Sequence, residues 1–319
     1  MAVEETPEPE PPKGWVVVRP AAAGVCGSEI EGYVGRQSNR TPPLVMGHEV
    51  AGEVVDVGEG VEREWIGRRA AVNPIVGCGS CDACHAGATN LCPSRGLIGV
   101  HHPGGFASYV VAPAANLVEL PEGFDARLGA LVEPMANGVR AVRLGLALGR
   151  VGRAAILGAG TIGIACLQAA LAERIPVVQV VEPHQARRQH AVALGAVAGF
   201  ESAAEVEPGV ELVIDAVGAS TTRQAALGLV RPGGVCMFIG LHDRETSLAV
   251  ADLVRNQVTI RGTYAYTREE FRLTMELLAS GRIGIGTLSP VLPLLRGPEV
   301  FAELAAGPSS QVKVFLADV

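Results

Sequence analysis

The hydrophobic pattern divides the chain into stretches of two kinds. "GWVVVRPAAAGVCG", "HEVAGEVVDVG", "RRAAVNPIVG" and "ASYVVAPAANLVELP" are short alternating runs rich in valine, punctuated by glycine and proline. They predict a small, irregular, largely antiparallel β domain over residues 1–135. From 136 to 265 the pattern changes to apolar strand, glycine turn and apolar helix, repeated. "AAIL" and "IACLQAAL" flank "GAGTIG", and "PVVQVV" follows. "ELVIDAVG" leads to the helix "STTRQAALGLV", the sharp turn "RPGG" and the buried strand "VCMFIG", and "LVRNQVTIRGTYAY" holds a further strand near 258–264. Such alternation predicts an α/β fold with a doubly wound parallel sheet, helices on both faces. Residues 266–319 read as helix, turn, helix and a final strand, "QVKVFLADV".

At 319 residues, 48% hydrophobic and 18% charged, the chain has material for two cores, in keeping with that change of pattern. No apolar run approaches the roughly 20 residues that span a bilayer. The start, "MAVEETPEPEPPKG", is acidic and proline-rich where a signal peptide is basic and then apolar, so a cytoplasmic location is expected. A net charge of -7 without a lysine or arginine block argues against nucleic acid or a membrane as partner and favours a small molecule. Lys13 and Lys313 are the only lysines; this skew toward arginine reads as coding bias and carries no functional weight here.

Seven cysteines in a cytoplasmic chain call for a use other than disulfides. Four stand in "GCGSCDACHAGATNLCPS" as Cys78, Cys81, Cys84 and Cys92, a C-x2-C-x2-C-x7-C run with glycines that permit tight turns. Such spacing lets four thiolates converge on one structural zinc. An iron-sulfur cluster is the rival, but its bacterial pattern closes with C-x3-C-P, and here the last gap is seven. Four cysteines leave no open position, so the lobe is structural and His85 beside it is not needed.

"GAGTIG" supplies Gly158, Gly160 and Gly163, with Thr161 and Ile162 between, at the turn from strand to helix. The first glycine allows the turn, the second admits a pyrophosphate to the backbone, and the third lets helix and strand pack closely. The anion then sits at the positive helix N-terminus. Glu182, 19 positions after Gly163, is placed to accept from the adenosine ribose of NAD and to repel the extra phosphate of NADP. Arg187 and Arg188 leave NADP as the alternative. Ligands gather at the carboxyl ends of such strands, so Gly218, Ile239, Gly240, Leu241 and the segment around Thr263 are candidates to line the nicotinamide.

In the first domain Cys26 follows a strand in "GVCGSEIEGY", His48 and Glu49 precede one in "MGHEVAGEV", and Glu133 stands in "LVEPMANGV" before the first helix of the nucleotide region. Singly these read as a small core residue, a turn histidine and a helix N-terminal carboxylate. Together with "GVCGS", "GHEVAGEVVDVG", the cysteine lobe, "GGFASYVVAP", "LVEPMANGV", "GAGTIG" and "RPGGV", in that order over nearly the whole length, they resemble the zinc-dependent medium-chain dehydrogenases/reductases, in the alcohol, polyol and threonine dehydrogenase branch.

That resemblance implies a GroES-like catalytic domain, to which residues 266–319 return, around a Rossmann domain. It implies a catalytic zinc held by Cys26 and His48, with Glu49 and Glu133 as further or reversible ligand or as partner of the metal's water. An acid in "VEP" resembles the polyol, sugar and threonine enzymes. Ser28 matches the hydroxyl that bonds the substrate oxygen and begins a proton relay, although Glu29 and Glu31 replace the usual aspartate and histidine. Substrate contacts are implied around Tyr33 and from His101 to Phe106, with His101 and His102 themselves reading as solvated. Relatives open with two strands before "GWVVVRP", of which "VEETPEPEPP" supplies only the second; either the first domain lacks an edge strand or the chain starts late, and both leave a sheet edge for another subunit to cover. The resemblance implies a homodimer or homotetramer.

The chemistry is consistent with the name. Three protein ligands and one open position lower the pKa of a secondary alcohol, whose C–H then becomes a hydride donor to nicotinamide. A zinc-free quinone or enoyl reductase would lack this constellation, and a non-catalytic relative would not need it. A zinc protease is excluded because H-E-x-x-H requires histidine where Gly52 stands.

Overall fold

Strand Trp15–Gly24 is the hub of the first unit, because its mostly small and β-branched residues are buried on both faces. In this computed structural model, which describes residues 1–37, 39–307 and 311–319, it pairs antiparallel with Glu49–Val57, Val110–Pro113 and Phe315–Ala317. The seven-stranded sheet is completed by Arg69–Val72, Leu117–Glu119 and Val291–Pro293, and its core is built from Val16, Val18, Val50, Val54, Val72 and Ile98. Residues 1–14 form no strand, contrary to the sequence reading of "VEETPEPEPP". Four prolines in that stretch, Pro7, Pro9, Pro11 and Pro12, each lack the N–H that a ladder needs. The unit comprises Met1–Glu133, Thr267–Ser280 and Thr287–Val319.

The second unit, Pro134–Tyr266 with Gly281–Gly286, holds six strands, every pairing parallel. Their order is Ala198–Phe200, Val177–Val181, Arg153–Leu157, Val210–Asp215, Val230–Phe238 and Thr259–Gly262. The order reverses beside Arg153–Leu157, so the switch point where such sheets bind ligands lies between it and Val210–Asp215. Helices Thr161–Ala172, Gln185–Ala193, Ser220–Leu229 and Val250–Asn256 are crossovers between parallel neighbours.

Three features depart from the sequence reading. "RPGG" is not a free turn but a bulge inside Val230–Phe238, where the pairing jumps from Val210↔Val230 to Leu212↔Val235, and Gly233 has φ +69. Gly281–Gly286 belongs to the second unit: Gly284 donates to Gln168 at 3.1 Å, and His190 Nε2 lies 2.9 Å from the Ile285 carbonyl. Glu133 is inside the helix Ala126–Leu146, not before it. The helix carries Pro134 in its interior, at the cost of one backbone bond.

Candidate active site

The antiparallel register that sets Gly24 opposite Glu49 brings the end of one strand beside the start of the next. Cys26 follows the first as N-cap of the helix Gly27–Tyr33, and His48 precedes the second. The ligand atoms of Cys26, His48 and Glu49 consequently lie within 4.8 Å of one another. The close approach demands glycine at 24, where a Cβ would fall 2.1 Å from Glu49 Oε2. Glu133 is buried but is not part of this cluster.

Around the cluster stand three residues that the sequence reading gave no role. Glu29, fully buried, accepts from the backbone N–H of Cys26 at 3.0 Å and of Gly47 at 2.8 Å, and its Oε1 lies 2.8 Å from His48 Nδ1. That bond fixes the ring, whose remaining hydrogen bond is to Cys26. Burial alone would push the Glu29 carboxyl up and the His48 imidazole down. Their mutual attraction outweighs it, holding Glu29 below the usual carboxylate range and His48 well above 6.5. A metal here competes with that imidazole proton.

Lys313 arrives from the far end of the chain because Phe315–Ala317 pairs with the end of Trp15–Gly24. Its Nζ donates to Glu49 Oε1 at 2.7 Å and to the Val25 carbonyl at 3.0 Å. Arg40 donates through Nη2 to Ser28 Oγ at 2.8 Å and through Nη1 to the Gly99 carbonyl at 3.1 Å. Ser28 in turn donates to Cys26 Sγ at 3.4 Å. Glu31, an alternative route for a proton, is paired with Arg36 at 3.3 Å.

Zinc fits this donor set. Thiol, imidazole and carboxylate converge, and Glu49 Oε2 is a buried oxygen with no hydrogen-bond partner. The lobe fits as well: Cys78, Cys81, Cys84 and Cys92 place their sulfurs within 4.8 Å of one another, Cys78 and Cys84 at 4.0 Å. Sulfurs on a tetrahedron with bonds of about 2.3 Å lie about 3.8 Å apart. The N–H and hydroxyl of Ser80 pull the Cys78 thiol down to about 6. At Cys81 the pull of the Cys84 N–H is outweighed by burial and the neighbouring sulfurs, which push that thiol up to about 11, so the four thiols share their protons until a cation replaces them.

Tyr33, Phe301 and Phe106 stack edge to face in sequence, each step 5.7 Å between centroids, joining the two segments expected to touch substrate. His101 accepts the Leu97 N–H at 3.1 Å, and His102 packs on Trp15 at 5.6 Å; it is half-buried, not solvated, because the bridge between Ile98 and His102 folds the loop back.

In the second unit the predicted nucleotide residues stand at one end of the parallel sheet. Gly158, with φ +96, leaves the strand Arg153–Leu157, and Gly160 caps the helix Thr161–Ala172, where Thr161, Ile162 and Gly163 form the first turn. A Cβ on Gly163 would lie 1.9 Å from the Gly158 carbonyl, whereas one on Gly160 would meet nothing within 4 Å. The third glycine is therefore a packing requirement, and the second opens a space for a ligand. Glu182 Oε2 accepts from Ala159 N–H at 2.8 Å and Oε1 from His184 N–H at 2.9 Å, which fixes the carboxylate beside that turn. Arg188 donates to the carbonyls of Glu182 and Pro183, so its guanidinium serves the loop, while Arg187 stands on the helix Gln185–Ala193. Gly218 packs backbone to backbone on Gly240, and Ile239 and Gly240 donate to the Asp215 carbonyl. Leu241 is exposed, and Thr263 carries a buried hydroxyl without a partner. The open space at Gly160 and the orphaned Thr263 hydroxyl fit a dinucleotide.

Comparison with known proteins agrees. Residues 12–122 match the alcohol dehydrogenase GroES-like domain and residues 161–280 the zinc-binding dehydrogenase family. L-galactonate-5-dehydrogenase of Escherichia coli (strain K12) is 32% identical over 285 residues, covering 86% of this chain and 83% of that one. D-altritol 5-dehydrogenase of Agrobacterium fabrum (strain C58) is 30% identical over 322 residues, covering 98% and 96%. Among solved structures, a protein described as a zinc-binding dehydrogenase from Sinorhizobium meliloti 1021, bound to NADP, superposes with a TM-score of 0.90 at 29% identity, covering 99% of this chain and 95% of that one. The chain belongs to the zinc-dependent medium-chain dehydrogenases, oxidoreductases of CH–OH groups with a GroES-like domain and a Rossmann domain.

Proposed function

We propose that this chain interconverts a secondary alcohol of a polyhydroxy compound and its ketone, with NAD as the preferred hydride acceptor and NADP as the alternative. The observation that carries the reading is the convergence of Cys26, His48 and Glu49 around an unpartnered carboxylate oxygen, with a hydroxyl, Ser28, alongside. The relatives named for galactonate and altritol support the polyhydroxy class.

Cys26, His48 and one glutamate hold the catalytic zinc, Glu49 being the glutamate in the cluster and Glu133 the other candidate. When bound, zinc supplies the Lewis acid for the carbinol oxygen and the dinucleotide the hydride acceptor. Glu29 orients His48, and Lys313 balances the charge of Glu49. Ser28 hydrogen-bonds the reacting hydroxyl and takes its proton toward solvent. Gly160 and the N-terminus of Thr161–Ala172 receive the pyrophosphate, Glu182 the adenosine ribose, and Gly218, Ile239, Gly240, Leu241 and Thr263 the nicotinamide end. Cys78, Cys81, Cys84 and Cys92 hold the structural zinc.

We also place the enzyme in the cytoplasm, in keeping with free cysteines and with no described helix long and apolar enough to cross a membrane. A second copy of the chain is its proposed protein partner. Thr259–Gly262 pairs on one side only, and Val250 and Val254 beside it are 62% and 72% exposed, an edge that requires cover.

The test is reduced-cofactor formation with NAD and NADP over alditols, aldoses, threonine and simple secondary alcohols. Turnover of alditols or aldoses with NAD is expected; turnover confined to simple alcohols or threonine would overturn the substrate class.

A further inference from the structure

Each described carboxylate at the catalytic cluster has a nitrogen partner. Glu49 is paired with Lys313 at 2.7 Å and Glu31, on the same helix as Ser28, with Arg36 at 3.3 Å, while Glu29 is hydrogen-bonded to the His48 ring at 2.8 Å. Arg40 is the exception among the cations. No described carboxylate forms an ion pair with it, although it stands one hydrogen bond from Ser28. Of the five N–H groups of a guanidinium, two have acceptors among the described residues, Ser28 Oγ and the Gly99 carbonyl. Nε is buried without any.

The seat is built for this side chain. A Cβ on Gly32 would fall 2.2 Å from Arg40 Cδ, so the helix carries glycine where the arginine stem crosses it. The acceptors on Ser28 and Gly99 hold the group to the helix Gly27–Tyr33 on one side and to the loop after Gly96–Leu97 on the other. An unpaired, partly buried cation costs stability unless something charged completes it. The buried Glu29 carboxylate feels its charge, but no described carboxylate forms an ion pair with it, and Nε is left without an acceptor.

We infer that Arg40 is a specificity-determining residue that selects polyhydroxy substrates ending in an oxyanion, a carboxylate or a phosphate ester, over neutral alditols. The inference rests on the polyhydroxy reading proposed above and narrows it. A guanidinium offers a planar fork that matches an oxyanion, and charge-assisted bonds there exceed those to a hydroxyl. Through Ser28 the same residue also acts as a positioning residue, because its N–H occupies one lone pair of Oγ and leaves the other for the reacting alcohol.

The experiment compares kcat and KM for an aldonate, a hexitol phosphate and the hexitol of matching configuration in the wild type, Arg40→Gln and Arg40→Lys, each checked for fold by circular dichroism. The wild type is expected to favour at least one anionic substrate by about tenfold or more in kcat/KM. Arg40→Gln abolishes that preference, chiefly through KM of the anion. Arg40→Lys keeps charge but loses the fork, so it retains part of the preference while kcat falls for every substrate. The stronger of the two anionic arms identifies carboxylate or phosphate. A wild type indifferent to charge, or an Arg40→Gln variant that slows all three substrates equally, overturns the inference. Binding of the same three compounds to the NADH-loaded enzyme, followed by cofactor fluorescence, is read in parallel. If none is turned over, the polyhydroxy reading fails; if the anions then bind no tighter than the hexitol, the role of Arg40 fails separately.

Discussion

Lys313 Nζ lies 2.7 Å from Glu49 Oε1, with both side chains closed off from solvent and 264 positions apart in the chain. The pair ties the returning final strand to the strand that carries the candidate ligand. In zinc-free protein Lys313→Met leaves the Glu49 charge buried alone, and removing one partner of a buried pair costs about 3–5 kcal/mol. Urea unfolding of the variant measures this. The proximity of Glu49 outweighs burial and raises the Lys313 pKa above 10.5, so its contribution is complete below that value and is lost only as pH rises through the higher folded one. The stability difference between wild type and variant is expected to stay constant from neutral pH to 10.5; a decline within that window would contradict the pairing.

Glu29→Gln keeps the shape beside His48 but removes the carboxylate that fixes the imidazole. Loss of such a partner costs about 10- to 100-fold in metal affinity. Chelator competition for the more weakly held zinc reads it, and an affinity equal to wild type would show that His48 is oriented by something else.

Much of this was legible in the sequence, and the limits have physical causes. The cysteine run announces itself by residue type and spacing, Cys26 and His48 stand out only through the family resemblance, and the two periodicities separate the β domain from the parallel sheet. Lys313 was passed over as one of two survivors of an arginine-biased composition, yet a lysine retained in such a chain is the signal that would have found it. Its partner is set by strand pairing at the opposite end of the sequence, which no local pattern records. Glu29 was noticed only as a departure from aspartate, and Arg40 lies in a loop without periodicity. Glu133 was placed before the helix that in fact contains it; the helix continues through Pro134, a residue more at home at helix starts than in interiors.

The glycines of "GAGTIG" separate fold from ligand binding. Gly163→Ala forces a methyl against the Gly158 carbonyl and is expected to destabilise by about 1–3 kcal/mol. Gly160→Ala meets no protein atom within 4 Å, so its stability should change by less than about 0.5 kcal/mol while NADH binding weakens. Thermal unfolding and NADH fluorescence titration distinguish the two, and unchanged NADH affinity in Gly160→Ala would remove that turn from the site.

For Glu182→Gln, loss of a charged acceptor worth about 1.5–3 kcal/mol weakens NAD binding by about tenfold to a hundredfold and narrows discrimination against NADP. Dissociation constants for both cofactors check it. An unaltered NAD to NADP ratio would leave Glu182 with only its two backbone contacts to Ala159 and His184.

The central claim is that two separate metal sites, one catalytic and one structural, are written into residues 26–92 and their surroundings. Zinc per chain, determined by mass spectrometry on wild type, Cys26→Ser and Cys81→Ser, tests it most directly. The account predicts two zincs in the wild type. Cys26→Ser should keep the structural zinc, an intact fold and NADH binding but lose turnover; Cys81→Ser should lose the structural zinc and show a lower unfolding temperature. One zinc in the wild type, or full turnover in Cys26→Ser, would contradict it.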